Sequence, residues 1–323
     1  MKAHILGPKG PELADIAAPK PGPEDVLVRV HACALNRADL AMARGAIHGG
    51  AGGQGAVLGL EWAGEVVEVG AAVKDRKPGD RVMGSGGGAF AEYVVVDSGR
   101  AQPIPRSNTN YAEAVTLPVA LQTMHDAVVT HGEVGPGKTA LILGASSGVG
   151  LMGLQIAKLK GASVVIGSST NAERRAQLKH FGADVAVDTS DPKWVSHVRD
   201  ATGGQGVDSV IDQITGSLTS QTLHATKLLG RIVNVGRLAG NQAEFDFDIH
   251  ARRRITFIGV TFRTRTKEEV REINRKMLAD LGPALAAGKL SLPTSHTFSF
   301  VQLNEALNVM AANQHFGKIV LTL

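Results

Sequence analysis

Residues Leu141–Gly150 read Leu-Ile-Leu-Gly-Ala-Ser-Ser-Gly-Val-Gly, an apolar run that stops in a glycine-rich turn and continues into a small-residue, leucine-rich segment. Such a run predicts a strand, a tight turn and the start of a helix. Gly148 and Gly150 leave no Cβ where a pyrophosphate must approach the backbone, and the helix opening there aims free N–H groups and its positive end at the ligand. The turn therefore predicts a nucleotide site over Ser146, Ser147, Gly148, Val149 and Gly150.

Three other readings compete for the same residues. Gly144-Ala145-Ser146-Ser147-Gly148 fits G-x-S-x-G, and His48-Gly49-Gly50 imitates an oxyanion-hole segment, so a serine hydrolase is an alternative. That elbow needs several β/α units before it, and the first 115 residues carry short alternating segments and glycine instead. A short-chain dehydrogenase needs Tyr-x-x-x-Lys after the turn, but both tyrosines, Tyr93 and Tyr111, precede it. A membrane span over Thr139–Ala157 would place Gly-Ala-Ser-Ser-Gly at its centre with no aromatic belt, which fits a buried strand and helix better. With no signal-peptide core at the N-terminus, a cytoplasmic protein is expected.

The 323 residues suffice for about two domains, and Cys33, the only cysteine, excludes an internal disulfide and any multi-cysteine metal site. The eleven histidines form no metal-binding spacing, so no metal is expected. Net charge is 34 minus 30, or +4, and Arg252-Arg253-Arg254 lacks the aromatic platform of a nucleic-acid site, so a solvated or interface-flanking patch is expected.

Period-two segments such as Val26–Val30, Glu65–Val69 and Ala91–Val96 predict a β-rich domain over 1–115. Strands at Ala140–Leu143, Ser163–Ile166, Val207–Ile211, Arg231–Val235 and Ile255–Val260, separated by helical stretches, predict a doubly wound parallel α/β sheet over 116–262, a Rossmann domain. Residues 263–323 carry a helix through Val270, Ile273, Met277 and Leu281 and end in a strand, Gly317–Leu321, expected to return to the first domain. Two glycine-rich stretches, Gly45–Gly59 and Gly84–Gly88, are expected to be loops.

Gly59-Leu60-Glu61-Trp62-Ala63-Gly64 and Lys77-Pro78-Gly79-Asp80-Arg81-Val82 resemble the signature of the medium-chain dehydrogenases. Asn36-Arg37-Ala38-Asp39, Ala145–Gly150 and Gly259–Arg265 are similar to the zinc-free quinone oxidoreductases, the zeta-crystallin-like group. The resemblance covers the whole chain and implies a GroES-like catalytic domain beside the Rossmann domain. The cysteine and histidine ligands of the zinc alcohol dehydrogenases align with Asn36 and Leu60, neither of which can hold zinc here. Without a Lewis acid a localised alkoxide is hard to stabilise, whereas hydride delivered to a quinone or enone leaves delocalised charge. The implied activity is NADPH-dependent reduction of quinones or α,β-unsaturated carbonyls. Relatives of this architecture also serve as NADPH-binding structural proteins or bind RNA, which is the alternative from another class.

The resemblance also implies roles for single residues. Asn36 matches the family asparagine at the nicotinamide end, and Thr123 a family threonine near it, although a helix-start cap explains Thr123 equally. The family's loop tyrosine falls on Ile47 here, with His48 beside it as a substitute donor or a solvated histidine. The second Rossmann strand ends in Ser168 and Ser169 rather than the carboxylate of an NAD site, and Arg174 follows, so NADPH is the expected cofactor, with Arg175 a solvated charge. Thr189 stands at the adenine edge where some relatives have tyrosine. Gly236, Phe262 and Lys318 are expected to line the nicotinamide pocket. The apolar Ile255–Val260 strand is expected at a sheet edge and, as in the family, to join a homodimer, or two dimers in a tetramer.

Overall fold

The computed structural model describes residues 1–323, which form two compact units: Met1–Val119 with Phe262–Leu323, and Ala120–Thr261. The chain thus changes unit after Val119 and again before Phe262.

The first unit begins with the hairpin β1 (Lys2–Gly7) and β2 (Gly10–Asp15). Next come β3 (Asp25–Ala34), α1 (Arg37–Met42), the short β4 (Ile47–His48) and β5 (Ala51–Gly52), β6 (Glu61–Val69), β7 (Arg81–Ser85), β8 (Tyr93–Asp97), β9 (Gln102–Pro103) and α2 (Tyr111–Ala114). β3 pairs antiparallel with both β6 and β8, and side chains alternate along it, burying Val26, Val28 and Val30. These valines meet Trp62, Val66, Val82, Phe90 and Val94 in one apolar core. The first glycine-rich stretch is a built structure rather than a plain loop. β4 and β5 form a small hairpin, Gln54 Nε2 donates to Leu6 O at 3.0 Å, and a Cβ on Gly87 in the second stretch would stand 2.6 Å from that of Ala51.

α3 (Pro118–Met124) leads into the second unit and continues as a π-helical segment, His125–His131, which nothing in the sequence pattern signalled. The parallel sheet follows from β10 (Thr139–Leu143), β11 (Val164–Ser168), β12 (Val185–Val187), β13 (Val207–Asp212), β14 (Thr226–Asn234) and β15 (Thr256–Gly259), in spatial order β12-β11-β10-β13-β14-β15. α4 (Gly148–Leu159), α5 (Ala172–Gln177), α6 (Trp194–Asp200), α7 (Thr219–Ala225) and α8 (Phe247–Arg253) connect the strands. The order reverses between β10 and β13, so this is the switch point where ligands of doubly wound sheets bind. β10 is buried after its first residue, as a central parallel strand covered on both faces must be. The three-residue β12 escaped the sequence reading because it is too short to show a period. β15 is the edge strand, with Phe257 40% exposed.

The chain then re-enters the first unit through α9 (Lys267–Ala286), β16 (Thr294–Ser299), α10 (Leu303–Ala311) and β17 (Lys318–Thr322). Val270, Ile273, Met277 and Leu281 are buried along one face of α9, and β17 pairs with β3, so the tail returns as its pattern predicted. No helix is long and apolar enough to cross a membrane.

Candidate active site

In the first unit Asn36 ends the stretch after β3 and precedes α1, while β17 brings Lys318 beside it. Lys318 Nζ donates to Asn36 Oδ1 at 3.0 Å and forms a short ion pair with Glu61 Oε2. Asn36 Nδ2 donates to the same Glu61 oxygen at 3.0 Å and, more weakly, to Ala34 O at 3.4 Å. Glu61 Oε1 accepts the Val119 amide at 2.7 Å in the first turn of α3. Glu61 is fully buried and Lys318 is buried too, so each charge depends on the other and on these bonds. Asp39 lies in the same cluster: its Oδ2 accepts the Asn36 amide at 2.6 Å, and its Oδ1 is buried without a partner. Burial pushes its carboxyl up to about 7, against the opposing pull of the Asn36 amide and Lys318.

Asn36 and Lys318, predicted separately, are thus in one hydrogen-bonded group, and sequence reasoning missed Glu61 and Asp39. A signal existed. Glu61 opens an otherwise apolar, buried strand segment and Lys318 opens another, and opposite charges forced into one core must pair. The Asn36 carboxamide has both N–H groups engaged, so it is held in one orientation instead of being a free polar contact.

His48 sits in β4, half-buried. Burial, and then the nearby Arg263 charge, lower its pKa, favouring a neutral imidazole. It is therefore not a solvated loop histidine, and Ile47 beside it is 69% exposed. Phe262 lies half-buried in the irregular segment after β15.

In the second unit the turn between β10 and α4 is fixed by its neighbours. Gly144 N donates to Ser168 Oγ at 3.0 Å, and Ala145 N donates to Ser168 O at 2.9 Å. The Ser168 side chain is therefore buried and spent on the turn. Ser147 is the N-cap of α4: its Oγ accepts the Gly150 amide at 3.0 Å and its hydroxyl faces Gly144 O at 3.0 Å. The amides of Gly148 and Val149 remain at the positive end of the twelve-residue helix. A Cβ on Gly150 would stand 2.5 Å from Gly144 O and 2.7 Å from Ala145 Cα. Glycine is required there because the helix packs on its own turn, a different reason from the ligand approach argued from the sequence.

Ser169 Oγ donates to Ser146 Oγ at 3.1 Å, so these two hydroxyls stand together at the mouth of the turn. α5 starts at Asn171, whose side chain accepts the Arg174 amide at 2.9 Å, which puts Arg174 in the first turn, partly exposed. Arg175 is not a solvated charge: it donates to Ser169 O at 2.8 Å and to Asp188 Oδ2 at 2.9 Å. Ser190, and then Arg175, hold the Asp188 carboxyl below the usual carboxylate range. Thr189 follows in the turn after β12, half-buried. Gly236, after β14, accepts the Thr215 hydroxyl at 2.8 Å through its carbonyl. Thr123 lies inside α3, so the helix-start cap is excluded as its explanation. No carboxylate stands at the end of β11, hydroxyls and helix amides line the turn, and Arg174 lies in the first turn of α5. This donor set fits the phosphates of a dinucleotide. No three His, Cys, Asp or Glu side chains come together as metal ligands.

Two family models match: the alcohol dehydrogenase GroES-like domain over residues 22–106 and the zinc-binding dehydrogenase over 148–279. Among solved structures, a probable oxidoreductase from Mycobacterium abscessus is 30% identical with a TM-score of 0.85, covering 100% of this chain and 99% of that one. The quinone oxidoreductase of Pseudomonas syringae pv. Tomato DC3000 is 27% identical with a TM-score of 0.86, covering both chains fully at 100%. Among curated proteins, the highly reducing polyketide synthase easB of Emericella nidulans is 29% identical over 314 residues, 95% of this chain. The chain spans only 12% of that synthase's length. Both halves of the architecture and the signature residues agree, and the chain is an oxidoreductase of the medium-chain dehydrogenase/reductase superfamily.

Proposed function

We propose that this oxidoreductase uses NADPH to reduce quinones or α,β-unsaturated carbonyl compounds without a metal, as in the zinc-free quinone oxidoreductase group. The observation that carries the reading is the Lys318–Glu61–Asn36 group. At the positions that align with zinc ligands in the alcohol dehydrogenases, this chain holds a carboxamide locked by a buried ion pair.

When bound, the dihydronicotinamide supplies a hydride. The chain's task is then to bind, orient and stabilise. The amides of Gly148 and Val149 would hold the pyrophosphate, the Ser146–Ser169 hydroxyl pair and Arg174 would hold the adenosine phosphate, and Thr189 would border the adenine. Gly236 would border the nicotinamide. Asn36 faces the acceptor oxygen, which displaces its 3.4 Å contact to Ala34 O. In the first unit the imidazole of His48, held neutral by burial, would be a further donor. Charge spread over a quinolate or enolate needs only such hydrogen bonds until solvent delivers the proton.

The same reading makes the protein cytoplasmic and a homodimer, or a tetramer of two dimers, joined along the β15 edge where Phe257 is exposed. It involves neither membrane nor nucleic acid. Arg252 pairs with Asp248, and Arg253 donates to the His224 and Thr226 carbonyls at the end of α7, so one charge of the basic run is offset and a second is engaged within the fold.

The test is the initial rate of NADPH oxidation with a simple ortho-quinone and a simple enone in chelator-treated buffer, with NADH in parallel. Turnover that resists chelation and prefers NADPH is expected. Tight NADPH binding with neither acceptor reduced would refute the reductase in favour of a nucleotide-binding protein, and loss of turnover on chelation would refute metal independence.

A further inference from the structure

At the carboxyl ends of β10, β13 and β14 one residue ties three segments together. Gln213, directly after β13, is 6% exposed. Its Nε2 donates to Leu143 O at 3.1 Å and Gly144 O at 3.3 Å, and its Oε1 accepts the Ser147 hydroxyl at 3.1 Å. Its own carbonyl accepts the Leu238 amide at 3.3 Å in the segment after β14. A Cβ on Gly236 would run into that carbonyl, so the two segments are in close contact.

The backbone beside Gln213 is strained, which argues that its placement is enforced. Thr215 has φ 57° and ψ −147°, a region nearly closed to a β-branched residue. Buried Asp212 over-determines it: Oδ1 accepts the Ile214 amide at 2.8 Å and the Thr215 amide at 2.9 Å. The Thr215 hydroxyl bonds to Gly236 O, and Asn234 Nδ2 donates to that hydroxyl oxygen. This bracing fixes the point from which the Gln213 side chain reaches across the switch point to the glycine-rich turn.

We propose that Gln213 is a positioning residue of the dinucleotide site, acting through Ser147 on the pyrophosphate turn. The inference rests on the dinucleotide reading given above. The Ser147 hydroxyl proton is directed inward, to Gly144 O and Gln213 Oε1, while its oxygen caps Gly150 N. Ser147 is thus a brace that Gln213 sets, and the groups left for a pyrophosphate are the helix amides. The two adjacent serines have different jobs, which sequence alone cannot separate.

A double-mutant cycle tests this with Gln213→Ala, Ser147→Ala and Ser146→Ala, using dissociation constants for NADPH, for NADH and for adenosine 2′-monophosphate, which lacks the pyrophosphate. Gln213→Ala and Ser147→Ala should each weaken NADPH about tenfold, and the double variant little further, because both break one brace. Gln213→Ala with Ser146→Ala should multiply. Adenosine 2′-monophosphate should bind Gln213→Ala and Ser147→Ala, alone and combined, within twofold of wild type, and their KM for NADPH should rise about tenfold with kcat within twofold. A merely structural role would weaken the fragment and the dinucleotide alike, and that result, or independent effects of Gln213 and Ser147, overturns the proposal. If the wild type prefers NADH, the cycle is read on NADH and the cofactor assignment alone falls. A wild type that binds neither dinucleotide overturns the dinucleotide reading and this proposal with it.

Discussion

Replacing Lys318 by Met keeps most of the side-chain volume and removes one charge, which isolates the ion pair. In the wild type Lys318 and Glu61 are 3% and 0% exposed, so neither charge has water to fall back on. After the substitution the Glu61 carboxylate keeps only the Asn36 carboxamide at 3.0 Å and the Val119 amide at 2.7 Å. Breaking such a pair from one side costs about 3–5 kcal/mol, because the remaining charge stays buried and unpaired. For a unit of roughly 150–250 residues this lowers the melting temperature by about 6–20 °C. The second substitution, Glu61→Gln, should recover most of the loss. The uncharged carboxamide it introduces can still accept the Val119 amide, and once the Asn36 carboxamide turns over, its N–H can donate to the Asn36 oxygen. The assay is calorimetric and urea unfolding of wild type, both single variants and the double. A Lys318→Met variant within about 1 kcal/mol of wild type, or a double variant no more stable than it, refutes the claim that the pair is held together by mutual burial.

The remaining predictions concern the same groups. Asp39 holds its proton up to about 7 in the fold and releases it near 4 when unfolded. Its stabilising contribution is therefore complete below about pH 4 and lost as pH rises to about 7, by at most ~4 kcal/mol. Asp39→Asn should flatten the decline in melting temperature between pH 5.5 and pH 8 that the wild type shows; an unchanged slope refutes the assignment. Arg174→Ala should raise KM for NADPH about tenfold and leave NADH unchanged, the loss expected of one charge-assisted phosphate contact. Arg175→Ala should act instead on stability, since its partners are Ser169 O and Asp188; initial rates with both cofactors and thermal melts separate the two. Gly150→Ala should cost roughly 1–3 kcal/mol and abolish dinucleotide binding, because its methyl group meets the Gly144 carbonyl and Ala145; retained binding by titration refutes the packing argument.

The parallel sheet was legible because the turn at Gly144–Gly150 and the spaced apolar strands state strand, turn and helix in one dimension. The helix of the tail was legible for the same reason, through the period of Val270, Ile273, Met277 and Leu281 along α9. The glycine-rich turn was visible as a string, but the partners of its residues were not. Ser147 and Ser146 are neighbours in the chain, and only the positions of Gln213 and Ser169 make one a brace and the other a hydroxyl at the mouth. Arg174 and Arg175 show the same limit, since the partner that distinguishes them, Asp188, directly follows the strand too short to be seen as one. Glu61 and Lys318 are separated by most of the chain, and only the antiparallel pairing of β3 with both β6 and β17 brings them together.

In the first unit a buried ammonium–carboxylate pair fixes the Asn36 carboxamide; in the second the Gln213 carboxamide fixes the Ser147 cap. Each of these two predicted contact residues is held by a partner that is itself buried, so its geometry is set before any ligand arrives. A site that uses hydrogen bonds instead of a metal needs this arrangement. A metal draws its ligands and its substrate into place by its charge, whereas a hydrogen-bond donor stabilises developing charge only where it already stands. In the proposed reaction the acceptor oxygen carries delocalised, and therefore weakly directing, charge. The orientation must then come from the protein, which is why the buried partners Glu61, Lys318 and Gln213 matter as much as the residues that touch the ligand.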